Sequence, residues 1–479
     1  MASRTILVLP VPGEPNKLIL SALPYSNATP HLGNLIGSTL SADTAARFFR
    51  ARGARALYDQ YGTASETKAF EEGVDPTTLC AKYHKMHKEI YDWFRIDFDI
   101  FGQTPTPQYT QIVRDIFRKL WVNDFIEERM TVQPYCQVHS GFLADRFVEA
   151  WFEDASKGWT EQWWKNSEEV ELYHFLGKDN VSFHSIVFPG SQIGSGDNWT
   201  KARHISATEY LNYEGGKFSK LKGVGLFGNN AKDTGIDADI WRYYLLSRRP
   251  ESGIDTEFKW EEFIDVNNND LLKNIGNLVN RVVKFCHAKM EGVVPSYIVS
   301  EEHRANVNAL LTTYIAHLEA MKLRLGLSTI LQISSFGNKF LQDNKLDNHL
   351  IEGSPERCRN VVGTVLSHIH LLANLLSPFM LRTAESIFEQ LGVESKPKIP
   401  DTWATDTLVA GSALGESRPL FTVIPAAKLE EWKEAYGGAA AKEQKRLEAE
   451  KAATKKAAKK AKKERSQLSK KASTPVEAS

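Results

Sequence analysis

The amino-acid sequence predicts an α/β protein in three parts: a doubly wound, parallel-sheet unit, an α-helical bundle and a basic low-complexity tail. Three observations predict it. Up to about residue 257, short apolar runs alternate with amphipathic stretches of helix length, and such alternation builds a parallel sheet with helices on both faces. Beyond that point apolar residues recur at helical spacing, with few strand-like runs. After Gly437 and Gly438 the chain turns to Lys, Ala and Glu and has almost no large apolar residue with which to close a core.

The elements follow in order. Residues 17–23 (KLILSAL) form a short apolar run stopped by Pro24, the pattern of a buried strand, and 35–52 carries a helical pattern closed by Gly53. Residues 77–94 and 110–123 read as amphipathic helices, and 171–175 and 184–188 as strands. The stretch 248–257 (RRPESGIDTE) is rich in the Pro, Gly and charge of a linker. Past it, long apolar periodicities at 271–289, 302–325 and 359–376 predict the bundle. The expected division is 17–150 and 151–257 as two halves of a Rossmann-like unit, 258–400 as the bundle, 401–437 as a packing segment and 438–479 as the tail.

With 479 residues, two or three packed units are expected, and 42% hydrophobic with 25% charged residues excludes general disorder and a fibrous class. The formal charge of +0 conceals an asymmetry, because 442–471 holds 13 Lys or Arg against 4 Glu. The tail can therefore meet a polyanion, while the body must use local patches. Cys80, Cys136, Cys286 and Cys358 form no Cys-x-x-Cys pair, so no disulfide framework is expected and a cytoplasmic address is. Pro10 and Pro12 break the apolar opening, which reads as neither a signal peptide nor a strong transit peptide.

Two loops carry candidate chemistry. The first, 24–34 (PYSNATPHLGN), lies between the first strand and its helix, where free N–H groups and the helix dipole favour an anion. Gly33 would allow close approach of a nucleotide, and His31 would offer a ring N–H to phosphate oxygens. A solitary histidine at a helix start is more often structural. The second loop, 215–223 (GGKFSKLKG), is flanked by glycine and places Lys217 and Lys220 around a hydroxyl, suited to neutralising charge that develops at phosphorus. Alone, it could equally be a solvated basic turn.

Together the loops resemble the paired HIGH and KMSKS motifs of class I aminoacyl-tRNA synthetases, here HLGN at 31–34 and KFSKL at 217–221. The blocks ALPYSNATPHLGN, YGTASETKAFEEG, FLADRFVE, FLGKDNVSFHSIVFPGSQ, TEYLNYEGGKFSK and WRYYLLSRRPE narrow the resemblance to methionyl-tRNA synthetases of the eukaryotic cytosolic type, over about 17–437. The resemblance implies a methionine–tRNA ligase that uses ATP with Mg2+ to make methionyl-adenylate and passes the methionyl group to tRNA(Met). It assigns His31, Gly33 and Asn34 to ATP, and Lys220 with Lys217 to the transition state. Leu23, Tyr25, Asp59, Trp151, Asp179 and His184 fall to methionine, and Asn277 and Arg281, one helical turn apart, to the anticodon. Partners are then methionine, ATP and tRNA(Met), with no membrane.

The sequence departs from the family's wording in two places. Around Asp59 it is four residues shorter than the family's LYICGTDEYG, so Asp59 either moves towards the pocket edge or its strand slides by an even register step. After Ala150, RFVEA runs straight into Trp151, where relatives carry a connective segment with metal-binding cysteines. Cys136 and His139 keep half of a Cys-x-x-His zinc site, and since tetrahedral zinc needs four ligands, no bound zinc is expected. These gaps leave open a second expectation, a catalytically impaired or inactive shortened relative that still binds tRNA.

Overall fold

The structure is a computed structural model that describes residues 9–22, 28–61, 74–101, 107–127, 135–136, 141–142, 160–218 and 224–438. Its centre is a five-stranded parallel sheet. The strands are β1 (Asn16–Ala22), β2 (Arg55–Tyr61), β3 (Ile100–Phe101), β6 (Val170–Gly177) and β7 (Ala202–Thr208), in the order β3-β2-β1-β6-β7. Between β3 and β6 lies a small antiparallel hairpin of β4 (Tyr135–Cys136) and β5 (Gly141–Phe142). Sequence order runs outward to one side of β1 and then resumes on its other side at β6. The carboxyl ends of β1 and β6 thus flank a topological switch point, where open α/β sheets bind ligands.

The apolar run of β1 is buried because both faces of the sheet are covered. Leu18 and Leu20 pack with Trp163, Leu172 and Trp199 on one face, and Ile19 with the large core on the other, as a period of two requires. Leu18, Ile19 and Leu20 are each 0% exposed, worth roughly 1.5–3 kcal/mol apiece. Helix Leu32–Asn34, a wider π turn Leu35–Thr39 and helix Leu40–Ala51 follow as one rod, since the junction residues Leu35 and Leu40 keep right-handed helical angles. Gly53, at φ 82°, supplies the left-handed residue that ends it.

Two expectations are corrected. Residues 184–188 are helical: π turn Phe183–Val187 runs into helix Phe188–Gly194. A short apolar run does not distinguish strand from helix, and burial of His184, Phe188 and Gln192 at spacings of four marks one helical face. The periodicity at 302–325 spans two helices, Glu301–Glu319 and Leu323–Asp343, with Met321 at φ 56° turning the chain between them.

Helices Asn277–Lys289, Glu301–Glu319, Leu323–Asp343, Pro355–Leu376 and Leu381–Gln390 build the bundle, whose core is continuous with the sheet's. The stretch at 248–257 is packed. Arg249 is 1% exposed and donates to Ser41, Ser206 and Glu251, and β9 (Thr256–Phe258) pairs in parallel with β8 (Leu211–Tyr213). Buried Arg242 bolts the parts together. It donates to Asp43 and the Phe94 carbonyl on the sheet side and to the Pro378 and Phe379 carbonyls on the bundle side. Helix Ala427–Tyr436 then packs Trp432 and Tyr436 on Trp260, at 4.8 and 5.7 Å between ring centroids, and reaches the sheet unit at Gly225, whose N–H donates to the Tyr436 carbonyl.

Candidate active site

The loop after β1 reaches the switch point as residues 28–31. It is held from below by His87, whose Nε2 lies 2.8 Å from the Ala28 carbonyl, and by Thr29, whose hydroxyl lies 3.1 Å from Met86 Sδ. From above, Gly228 N–H donates to the Pro30 carbonyl at 2.8 Å, and His31 forms a β-bridge with Phe227. His31 caps the helix start, and its own N–H donates to Asn34 Oδ1 at 3.1 Å. A Cβ at Gly33 would stand 2.9 Å from Cε1 and Nδ1 of His31, so any larger residue there displaces that ring.

The ring of His31 stacks on Phe218 of the second loop, 5.0 Å between centroids and 8° from parallel. Burial pushes its pKa down to about 4, so it is neutral at pH 7. Its Nδ1 is buried without a hydrogen-bond partner among the described residues. The second loop springs from a tight turn in which Tyr213 and Gly216 exchange backbone hydrogen bonds of 2.7 and 2.9 Å. Glu214 at φ 44° and Gly215 at φ 82° are its central residues, a left-handed pair that matches strand twist. The loop's far end is fixed by a β-bridge between Val224 and Gly437 and by Gly225 N–H donating to the Tyr436 carbonyl at 3.0 Å. The returning helix Ala427–Tyr436 therefore anchors the base of the lysine loop.

At the end of β6 the chain turns through Lys178–Asn180. Tyr210, which sequence reasoning missed, organises this corner. Its hydroxyl donates to Asp179 at 2.6 Å, and Lys178 and Lys217 stand over its ring at 4.0 and 5.9 Å. Lys178 also pairs with Glu209 and Asp255, which push its pKa up. Asp179 and Lys217 are exposed, whereas His184 is buried with its Nδ1 3.2 Å from that of His174 on β6. Burial lowers His184 to about 4. The signal for Tyr210 was its place in TEYLNYEGGKFSK, eight residues before Phe218.

In the bundle, Asn277 and Arg281 are exposed on one face of helix Asn277–Lys289. Arg281 Nη2 donates to the Leu346 carbonyl at 3.1 Å, and Arg357 donates to Asn344 beside it at 3.0 Å. Asn277 lines a groove of ≈350 Å³ with Lys273, Asn280 and Phe421.

The sequence model described as tRNA synthetases class I (M) matches residues 17–152 and 149–283, and that of the anticodon binding domain of methionyl tRNA ligase matches 298–441. A protein named probable cytoplasmic methionine–tRNA ligase, from Schizosaccharomyces pombe, is 40% identical over 568 residues, covering 90% of this chain and 72% of that protein. The chain belongs to the methionine–tRNA ligases. The cytoplasmic methionine–tRNA ligase of Saccharomyces cerevisiae is 38% identical, with 90% of this chain and 75% of that protein covered. Mycobacterium tuberculosis methionyl-tRNA synthetase, solved bound by methionyl-adenylate, shares the fold at a TM-score of 0.71 and 17% identity, over 85% of this chain and 100% of that one.

Against its ligase relatives the chain is internally short: the 568-residue alignment exceeds the 479 residues present. The two stretches matched by the catalytic-domain model meet at 149–152, where the sequence leaves the family's wording. Leu23, Tyr25, His139, Trp151 and Lys220 lie outside the described residues. Asp59 is described in its backbone alone, pairing with Leu20 of β1 and Ile100 of β3 in a register unbroken along β2. Among the described residues no group of three or more His, Cys, Asp or Glu could hold a metal, and no helix is long and apolar enough to cross a membrane.

Proposed function

We propose that the chain, like its cytoplasmic relatives, is a methionine–tRNA ligase of the cytoplasm. It joins methionine to ATP as methionyl-adenylate over the carboxyl ends of β1 and β6, then passes the methionyl group to tRNA(Met). The observation that carries this reading is the meeting of the two loops, His31 on Phe218 at 5.0 Å. ATP laid across the helix start meets His31, Gly33 and Asn34, and neutral His31 offers its phosphates a hydrogen bond without a charge. Positive charge comes from Lys217 and Lys220 as pyrophosphate leaves. Mg2+ enters with ATP as the counter-ion of its phosphates.

Methionine is read by Asp179 and His184 at the end of β6, together with Leu23, Tyr25, Asp59 and Trp151. Its carboxylate, with a pKa near ~3.5, is already ionised at pH 7, so attack on the α-phosphate needs positioning and charge rather than a general base. Asn277 and Arg281 read the anticodon, and Arg281 is held for this by the Leu346 carbonyl. The working division is a catalytic unit at 17–257, the anticodon bundle at 258–400, a packing segment at 401–437 and the tail at 438–479.

Methionine-dependent ATP–pyrophosphate exchange tests the reading. The chain should catalyse it, and Lys220→Ala should lower it at least ~100-fold, as for loss of a preorganised transition-state donor. Equal rates would remove Lys220 from the chemistry, and no exchange by the unaltered chain would overturn the ligase reading.

A further inference from the structure

The groove beside Asn277 is built before any ligand arrives. Helix Asn277–Lys289 continues from an 11-residue π turn, Val266–Gly276, a wider winding that recurs at functional sites. Two amides of that turn grip the chain segment opposite. Asn267 Nδ2 donates to the Thr422 carbonyl at 2.9 Å, and Asn268 donates to the Ile424 carbonyl at 3.0 Å and accepts the Ile424 N–H at 2.9 Å. Gly276 lets Phe421 lie against the helix, since a Cβ there would stand 3.1 Å from the ring's Cδ2. Phe421, Leu272 and Leu420 thus give the groove an apolar lining between two pinned segments.

Its polar lining is one cation and two amides, Lys273, Asn277 and Asn280, with no carboxylate. Lys273 gives one N–H to Asn269 Oδ1 at 2.7 Å and meets no carboxylate among the described residues. The side chains of Asn277 and Asn280 make no hydrogen bond among those residues, and Asn280 Oδ1 is buried without a partner. An amide that no internal bond holds turns at little cost about its broad last torsion, and so can present either its oxygen or its amine. Nucleobase edges carry donors and acceptors side by side, which amides match, and a lysine answers the adjoining phosphate. At ≈350 Å³ the groove is near the lower end of small-ligand sites, roughly 300–1,000 Å³, a size for one unstacked base rather than a folded partner. Bases splayed from a single-stranded loop are the form in which RNA sequence is read.

We propose that this groove is a second nucleotide site, taking one unpaired base of the tRNA(Met) anticodon loop. Asn280 hydrogen-bonds the base edge, the base lies on the apolar lining, and Lys273 meets the neighbouring phosphate. The proposal rests on the assignment of Asn277 and Arg281 to the anticodon, and adds a site that Arg281 does not line.

Binding of a synthetic anticodon stem-loop of tRNA(Met) to the full chain tests it. Asn280→Leu keeps the side chain's size and removes the unpartnered amide. It should weaken binding roughly three- to tenfold, the worth of one hydrogen bond, while the urea midpoint of the chain holds or rises. A purely structural amide gives the reverse, a lower midpoint with unaltered binding, and would overturn the proposal. Lys273→Ala should weaken binding and flatten its salt dependence by about one charge. Lys273 is exposed, so this arm stands even if Asn280→Leu is unstable. Stem-loops lacking one base at a time then locate the occupant: at one loop position, the missing base and Asn280→Leu together should cost no more than either alone. Additive losses at every position overturn the proposal. So does binding that falls in Arg281→Ala but not in Asn280→Leu or Lys273→Ala, a result that leaves the anticodon reading in place. No binding by the unaltered chain would overturn both.

Discussion

Replacing Arg242 with Met removes a guanidinium that is 0% exposed and makes four hydrogen bonds. It donates from Nε to the Phe379 carbonyl at 2.8 Å, from Nη1 to Phe94 at 3.0 Å, and from Nη2 to Pro378 at 3.0 Å and Asp43 at 2.8 Å. Met fills most of the stem's volume and donates nothing, so three carbonyls and part of a carboxylate lose their partner. Asp43 is not left alone, because Arg47 Nε and the N–H of Asp97 still reach it at 3.0 Å. The expected cost is therefore about 3–5 kcal/mol, that of breaking a buried pair, or about 3–6 °C in Tm if the sheet unit and bundle melt together, because the unfolding entropy that divides it grows with chain length. Because Phe94 is on the sheet side and Phe379 on the bundle side, the joint loosens, and tryptophan fluorescence in urea should split one transition into two. Acid sensitivity follows with a definite sign. Burial raises the Asp43 carboxyl, but Arg47 and Arg242 more than offset it and leave it below its ordinary value of 3.8. Its contribution is thus present above the unfolded pKa and lost as pH falls through the lower folded one. Arg242→Met raises the folded pKa and should move acid unfolding to higher pH. An unchanged urea midpoint with a single transition would refute the reasoning.

Gly33→Ala should weaken exchange and raise the KM for ATP even though alanine favours helix by roughly 1 kcal/mol, because its Cβ displaces the His31 ring 2.9 Å away. Unaltered kinetics in a more stable protein would contradict this. Arg281→Ala should weaken binding of tRNA(Met) selectively. Deleting 439–479 should weaken binding of every tRNA alike and flatten its salt dependence, since 442–471 carries 13 basic and 4 acidic residues and acts by counterion release. Filter binding at several salt concentrations compares the two, and full affinity and salt slope in the truncated chain would exclude the tail. Elemental analysis of the purified chain should find no stoichiometric zinc, and one tightly held zinc per chain would contradict the half-site reading of Cys136 and His139.

By itself the sequence determined the elements whose periodicity or end signals are local. The first strand, expected at 17–23, is Asn16–Ala22, and helix 77–94 is Pro76–Trp93. It also carried the two loops, because HLGN and KFSKL are contiguous. Tertiary structure decided what local pattern does not encode. Residues 184–188 became helical because a short apolar run fits either state. Tyr210 acquired its role from Asp179, His31 from Phe218 and Arg242 from carbonyls 136 to 148 residues away in the chain. A periodicity records which face of an element is buried. The partner that face or buried polar group meets is fixed only when the packed chain leaves each donor one acceptor within reach.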